Sequence, residues 1–578
     1  MPGGLAALSL DALSSVAYGP EAMIVILVLA GRGALHWTLP LTLVITSMLV
    51  ILVFSYTQVI AAHPEGGGAY AVGKANLGRW PSMLAAASLV IDYVLTVAVS
   101  LAAGAASLGS VFPPLSHHLL LVALIALAVL TAVNMFGISE SAKLLMLPAA
   151  VFVISVLAVL VVGPFHSKPV ALIGKYAGPI KATTALGLVL LLRAFANGCS
   201  AITGVEAIAN GVPAFRHPRV RTAQRTEVAL GALLAVMLIG LAILIRVHNV
   251  VPRHNVTILA QLTAGAFGKN AAFYVANVSV AVALGLAANT SFGGLPVLMS
   301  LLAKDHRLPH VFYLRAERPV YRTGIAALAL AATLLLVAVG AQTQRLIPLF
   351  TIGVFIGFTI SQLGLVRHWI TERPPRWQAR AALNGVGAAM TALAVIVALI
   401  TKFLVGAWVV TLAIPLLILL FYRTEAYYAE LGRELRFGKT PPPPHKRDSI
   451  VIVPTTTVTL LTERAVSAAL SMGDTVVAVA VAGDEEECER IKRAWDEWRT
   501  DVPIEVLLDP QRSLVRTVLR YVESVQNEDA TITVLIPELI PRKRRHEILH
   551  NQRGRLLEAA LKARTDVVVA TLPFHVRD

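Results

Sequence analysis

Apolar stretches of about 18–25 residues recur along this chain, and each is long enough to cross a bilayer as a helix. Twelve can be drawn, at 3–31, 37–61, 81–107, 118–138, 142–163, 184–211, 226–246, 271–302, 323–341, 345–369, 382–402 and 405–422. Composition agrees. Of 578 residues, 56% are hydrophobic and only 14% are charged, against about one quarter charged in soluble domains. Residues 1–424 are therefore read as an all-α polytopic membrane domain. The first apolar run carries Asp11 and has no small-residue cleavage site, so no cleavable leader is expected. Cys199 and Cys488 lie far apart and offer neither a disulfide framework nor metal-ligand spacing.

The net charge of +15 is unevenly placed. Residues 439–578 carry 20 basic and 21 acidic side chains, whereas residues 1–438 carry 29 and 13. The basic excess lies in short loops: "FRHPRVRTAQR" (215–225), "KDHRLPHVFYLRAERPVYR" (304–322) and "RHWITERPPRWQAR" (367–380). These follow spans 6, 8 and 10. Even-numbered span ends and both termini are then cytoplasmic, in a multi-pass protein of the cell inner (cytoplasmic) membrane. The three lysines of 166–181 are an exception on the other side. Because the basic charge serves orientation, the expected partner is the lipid bilayer and not a nucleic acid.

After span 12 comes a linker over 425–447. It includes part of the amphipathic stretch "YRTEAYYAELGRELRFGK" and the stiff "PPPP" of 441–444. From 448 to 578 the pattern changes to short β-branched runs at 449–457, 475–483, 504–509, 531–537 and 566–573. Helical segments at 463–472, 485–499, 511–528 and 543–564 alternate with them. This alternation predicts a cytosolic α/β domain with a mostly parallel sheet. It has no P-loop and no glycine fingerprint after its first strand. A regulatory or dimerisation role is expected for it.

Three carboxylates fall inside apolar runs: Asp11, Asp92 and Glu206. Such groups are expensive at membrane depth and mark function by default. Asp92, Thr96 and Ser100 recur at four-residue spacing, so they share one helix face. Thr203 and Glu206 are three apart and share another. Spans 1 and 6 are also interrupted, at "SSVAYGP" and "NGCSAITG". Unwound backbone in the hydrocarbon region survives only where protein buries it or where it lines a cavity. Two broken helices five spans apart predict a five-plus-five inverted repeat with a midplane site between them. Freed carbonyls, the hydroxyls of Ser14 and Ser15, and Asp11 are all oxygen donors, which suit a hard cation. Three ionised acids would repel one another in an empty pocket, so cations fill it or one acid is protonated. Glu206, beside the break, is the expected protonatable acid.

Each of these residues has a plainer reading. Asp11 could end a helix at the interface, Asp92 could bond a neighbouring helix, and Glu206 could face a vestibule. Buried Ser and Thr often bond their own backbone. Tyr18 could be an aromatic at a packed crossing, and Arg193 could reach for the outer surface. Asn289, Thr290 and Ser291 could line a cavity or kink span 8. The acidic run at 484–489 reads as a solvated helix start.

"LSLDALSSVAYGPE", "HPEGGGAYAVGKANLG", "IDYVLTVAVS" and "GCSAITGVEAIANGVPAF" together resemble the APC superfamily, and within it the KUP-type potassium uptake group. The likeness covers the twelve spans and extends into the α/β tail. It implies a LeuT-like fold and a homodimer joined through the cytosolic domains. It also implies a secondary transporter importing potassium by proton symport. Carried over position by position, potassium would be held by Asp11, Tyr18, Asp92, Thr96, Ser100, Thr203 and Glu206, with Glu206 also coupling the proton. Phe350 stands where the importers carry a tyrosine, which removes one oxygen. Only ten residues precede Asp11, so an N-terminal gating arm is not expected. Some relatives respond to cyclic di-AMP; an effector of cyclic-dinucleotide or nucleotide type is an expectation here, with no motif to place it.

No cofactor and no enzymatic activity are expected, because the spans hold no nucleophile–base pair or metal cluster. The main competing function is an amino-acid permease of the same superfamily. Such a carrier needs amide donors for a carboxylate, usually from a Gly-x-Gly break, and "SSVAYG" lacks that spacing. A sensor that only signals occupancy to the tail is a second alternative. A channel would need a repeated filter segment, which the sequence does not contain.

Overall fold

The computed structural model describes residues 9–66, 68–137, 142–165, 182–314, 321–403, 406–526, 530–541 and 553–575, with side chains from 146 in the fifth-span segment. The expectation for 166–181 lies outside these residues. The chain divides into two units, Met1–Phe437 and Gly438–Asp578.

Among the described residues of the first unit, eleven helices are long and apolar enough to cross a membrane. Span 1 is Leu10–Ala30, span 2 Arg32–Ala62, span 3 Arg79–Val111, span 5 Met146–Phe165 and span 6 Leu188–Asn210. Span 7 is Arg219–Val247, span 8 Ala271–Lys304, span 9 Arg322–Val339, span 10 Thr343–Glu372, span 11 Trp377–Lys402 and span 12 Trp408–Glu434. A shorter apolar helix, Leu119–Met135, occupies the place of expected span 4. At about 1.5 Å per residue its 17 residues rise roughly 25 Å, just under the hydrocarbon thickness. Span 12 runs past the expected end of the transport domain at 424, because residues 422–434 contain no proline and only one glycine to stop it.

Polar ties hold the helices where apolar packing alone would let them slide. Asn384 of span 11 accepts from Ser55 of span 2 at 2.6 Å and donates to Gln58 at 2.8 Å. Trp369 of span 10 donates to the same Gln58 oxygen at 2.8 Å. Asn134 donates to Asn289 at 2.6 Å, so Asn289 joins the short helix to span 8. Thr290 bonds its own helix at Ala287. Glu21 accepts the amide of Ile258 at 3.0 Å, at the N-terminus of the helix Ile258–Phe267, where four amides lack helical partners.

At the basic-loop end, Lys74 holds both oxygens of Asp305 at 2.7 Å, and Tyr70 donates to the same carboxylate. Arg307 is buried beside them. It donates to Ser82 at 2.9 Å and to Tyr70 at 3.2 Å, and lies 3.6 Å from Glu425. Burial alone would raise Asp305; the bonds from Lys74 and Tyr70 and the charges of Lys74 and Arg307 outweigh it and hold the carboxyl below its usual range.

The second unit is a five-stranded, wholly parallel sheet of order β3-β2-β1-β4-β5. The strands are β1 Asp448–Thr455, β2 Thr475–Ala482, β3 Ile504–Leu508, β4 Ala530–Ile540 and β5 Val568–His575. Alternate residues serve opposite faces. Val451, Val453, Val476, Ala478 and Leu535 meet Ala465, Val466, Ala469 and Trp495 on one side. Ile452, Val479, Ile532, Val534 and Ile536 meet Val518, Leu519, Val522, Leu557 and Leu561 on the other. The expected helices appear at Leu460–Leu470, Glu485–Trp498, Leu514–Val525 and Arg553–Arg564. Asp484 caps the second of these through the amide of Glu487 at 2.8 Å, so its acidic start is a capped terminus.

The depressed Asp305 carboxyl contributes stability above its unfolded value of about 4, and that contribution is lost as pH falls through its lower folded value. Thermal unfolding of the detergent-solubilised protein should therefore show an acid-dependent loss that is smaller in Asp305→Asn. An identical acid dependence in the two proteins would remove Asp305 from the account.

Candidate functional site

Spans 1 and 6 lose their regular helices side by side. Span 1 is α-helical over Leu10–Ser14, tightens over Ser15–Ala17, and restarts at Gly19–Leu27. Pro20 sits at the first turn of the restarted helix, where a missing N–H does no harm. Span 6 is helical over Leu188–Gly198, tightens over Cys199–Ile202, and is extended at Thr203, with φ −73° and ψ 155°. Gly204 then takes φ +82°, and a short helix follows at Ala207–Asn210.

The two interruptions satisfy each other. The Ser15 hydroxyl lies 2.6 Å from the carbonyls of both Ala12 and Ala201. Asn197 donates to the Ala22 carbonyl at 3.2 Å. A Cβ on Gly19 would stand 2.7 Å from the Ala201 Cα, so the backbones meet there without room for a side chain. A Cβ on Gly204 would stand 2.7 Å from the Ala12 nitrogen and 2.8 Å from the Asp11 carboxylate. The left-handed turn of span 6 thus rests against Asp11.

All seven expected site residues are buried. Asp11 is 8% exposed, Asp92 4% and Glu206 9%, so none of the three acids faces lipid or bulk water. They also lie close enough to act on one another electrostatically: Asp11 with Glu206, and Asp92 with both. The Asp92 carboxyl hydrogen-bonds Glu206 and the Thr96 hydroxyl. Oδ1 of Asp11 and Oε2 of Glu206 are buried without a hydrogen-bond partner. Tyr18 brings its hydroxyl to 3.5 Å from the Thr203 hydroxyl, which itself bonds the Ser200 carbonyl at 3.0 Å. Ser100 is buried two turns beyond Asp92 on span 3. Phe350 is buried in span 10.

Small cavities flank this cluster. One is lined by Tyr18, Glu21, Ser107, Thr257 and Gln344. The other is lined by Asp92 and Glu206 with Tyr56, Gly353, Gly357 and Phe358. Among the described residues no three His, Cys, Asp or Glu side chains converge tightly enough for a transition-metal centre. The donors are acids, hydroxyls and opened backbone spread over spans 1, 3 and 6, a set suited to a large, weakly held cation.

Two further buried charged side chains, besides Arg307, are not among the residues the sequence singles out. Lys402, at the end of span 11, donates to the Ala196 carbonyl at 3.0 Å, just before span 6 tightens. The Thr351 hydroxyl approaches the same carbonyl at 3.4 Å. Glu227, in span 7, is fully buried. Each stands within a few residues of a predicted span end, where a charge looks like an interfacial anchor.

Gly204→Ala should force the turn of span 6 off Asp11 and leave transport at background in protein that is still folded. Rubidium uptake, with size-exclusion chromatography to check integrity, measures it. Normal uptake by the alanine variant would separate Asp11 from the function of the turn.

The family described as amino acid permease matches residues 8–422, and the KimA potassium transporter C-terminal domain matches residues 446–574. The potassium transporter KimA of Bacillus subtilis is 38% identical over 584 aligned positions, covering 99% of this chain and 95% of that protein. The match spans both units, so the membrane part and the α/β tail are inherited together. The chain belongs to the KimA family of APC-superfamily transporters.

Proposed function

We propose that this protein is a secondary transporter that imports potassium with protons by alternating access. The observation that carries the reading is the buried triad of Asp11, Asp92 and Glu206 at the crossing of two opened helices. Negative charge in that pocket must be neutralised, and an entering alkali cation and a proton are the two species that can do it. Asp11, Asp92, Tyr18, Thr96, Ser100 and Thr203 are assigned to the potassium ion. Glu206, hydrogen-bonded to Asp92, is assigned to the proton. The family likeness supports potassium over other cations.

The orientation proposed is that of a protein of the cell inner membrane with both termini in the cytoplasm, following the basic loops. The α/β unit is proposed to pair two copies of the chain. An effector, a nucleotide or cyclic dinucleotide, would bind where the strand order reverses, between the C-terminal ends of β1 and β4.

Uptake of rubidium and of amino acids into proteoliposomes tests the reading directly. Rubidium should accumulate and amino acids should not; the reverse result would make the protein an amino-acid permease. Asp92→Asn should weaken apparent cation affinity by about tenfold or more, equivalent to roughly 1.4 kcal/mol, while leaving expression intact. Glu206→Gln should flatten the pH dependence of uptake, and an unchanged pH profile would take the proton away from Glu206.

A further inference from the structure

Span 7 carries a carboxylate with no visible purpose in the fold. Glu227 is 0% exposed, and neither of its oxygens has a hydrogen-bond partner. Among the described residues no lysine, arginine or histidine pairs with it. A carboxyl group kept in that state destabilises the fold unless its charge is used. Glu227 therefore calls for a role.

Its surroundings supply one. The group acting on Glu227 electrostatically is Glu206 of span 6. From span 2, the Tyr56 hydroxyl is influenced by Glu206, Glu227 and Asp92 alike. Tyr56 also lines the small cavity that holds Asp92 and Glu206. The remaining acid nearby is Asp11, at the start of span 1, which faces Gly204 and Glu206. On its own helix, Arg221 and Arg225 are exposed toward the basic loop 215–225. Glu227 thus lies between the acid pair and the end of span 7 that is assigned to the cytoplasm.

We propose that Glu227 is the acid that takes the coupled proton from Glu206 and hands it to the cytoplasmic side. The inference rests on the proton-coupled reading above. The Glu206 carboxylic acid gives up its proton and becomes a carboxylate. The proton passes through the Tyr56 hydroxyl or a water beside it, which accepts one proton as it donates another. The Glu227 carboxylate becomes the acid and then releases the proton to the cytoplasm. No other bond is made or broken.

Glu227→Gln keeps the size of the side chain but cannot carry the proton. Proteoliposomes loaded with a pH dye give net rubidium uptake and proton influx together; rubidium–potassium exchange at equal pH reports on cation binding and the conformational cycle without net proton transfer. In Glu227→Gln, net uptake and proton influx should fall about tenfold or more, while exchange stays near the unmodified rate. Glu227→Asp, which retains a carboxyl, should keep most of the net uptake. Equal loss of exchange and net uptake in Glu227→Gln would make Glu227 a structural residue and overturn the proposal. So would unchanged proton influx in Glu227→Gln, or an aspartate variant as impaired as the glutamine. Rubidium uptake without proton influx in the unmodified protein would instead overturn the coupled reading itself.

Discussion

Everything in the membrane unit depends on two opened helices lying against each other. A helix that unwinds in hydrocarbon exposes amides and carbonyls, each costing several kcal/mol when left unpaired. Here each interruption covers the other. Ser15 reaches the Ala201 carbonyl, Asn197 reaches the Ala22 carbonyl, and Gly19 lets the backbones meet without a side chain between them. The pairing is also mechanical. Moving either half of span 1 changes what span 6 can bond to, so a conformational change at one interruption is transmitted to the other.

The same crossing explains why acids are tolerated there. Asp11 and Glu206 each keep one oxygen without a partner, while Asp92 bonds to Glu206 and Thr96. A site evolved only for stability would have filled those positions with apolar side chains. Unpaired capacity is what a transport site needs, because a cation held by every available donor would not leave. The share taken up by the Asp92–Glu206 bond is available to the cargo only when that bond opens.

Much of this was legible in the sequence, for reasons that differ by residue. Span lengths and the strand–helix alternation of the tail follow from period and run length. Asp11, Asp92 and Glu206 stand out because a charge in a long apolar run has no cheap explanation. Gly204 lies within a break that the sequence shows, but its conformation and its approach to Asp11 are tertiary facts. Glu227 follows "RVRTAQRT", so it reads as part of the polar approach to span 7; only packing shows that no water reaches it. Lys402 closes span 11 and reads as an interfacial anchor, yet it turns inward to a carbonyl of span 6. Residues near span ends are ambiguous because sequence fixes depth along a helix to within a turn or so, but not what lies beside it.

The polar ties divide the membrane unit in a way that bears on how the pocket could open. On the side of Glu21, the ties at the helix start are bonds from backbone amides: Ile258 donates to Glu21 and Thr257 donates to Ser110 of span 3. On the basic-loop side, the cluster is denser: Arg307 joins Tyr70, Ser82 and Glu425, and Lys74 holds Asp305. A buried guanidinium with several partners is harder to separate than amide bonds to a hydroxyl and a carboxylate, since each lost partner leaves a desolvated charge. The second side therefore needs a larger input before it opens.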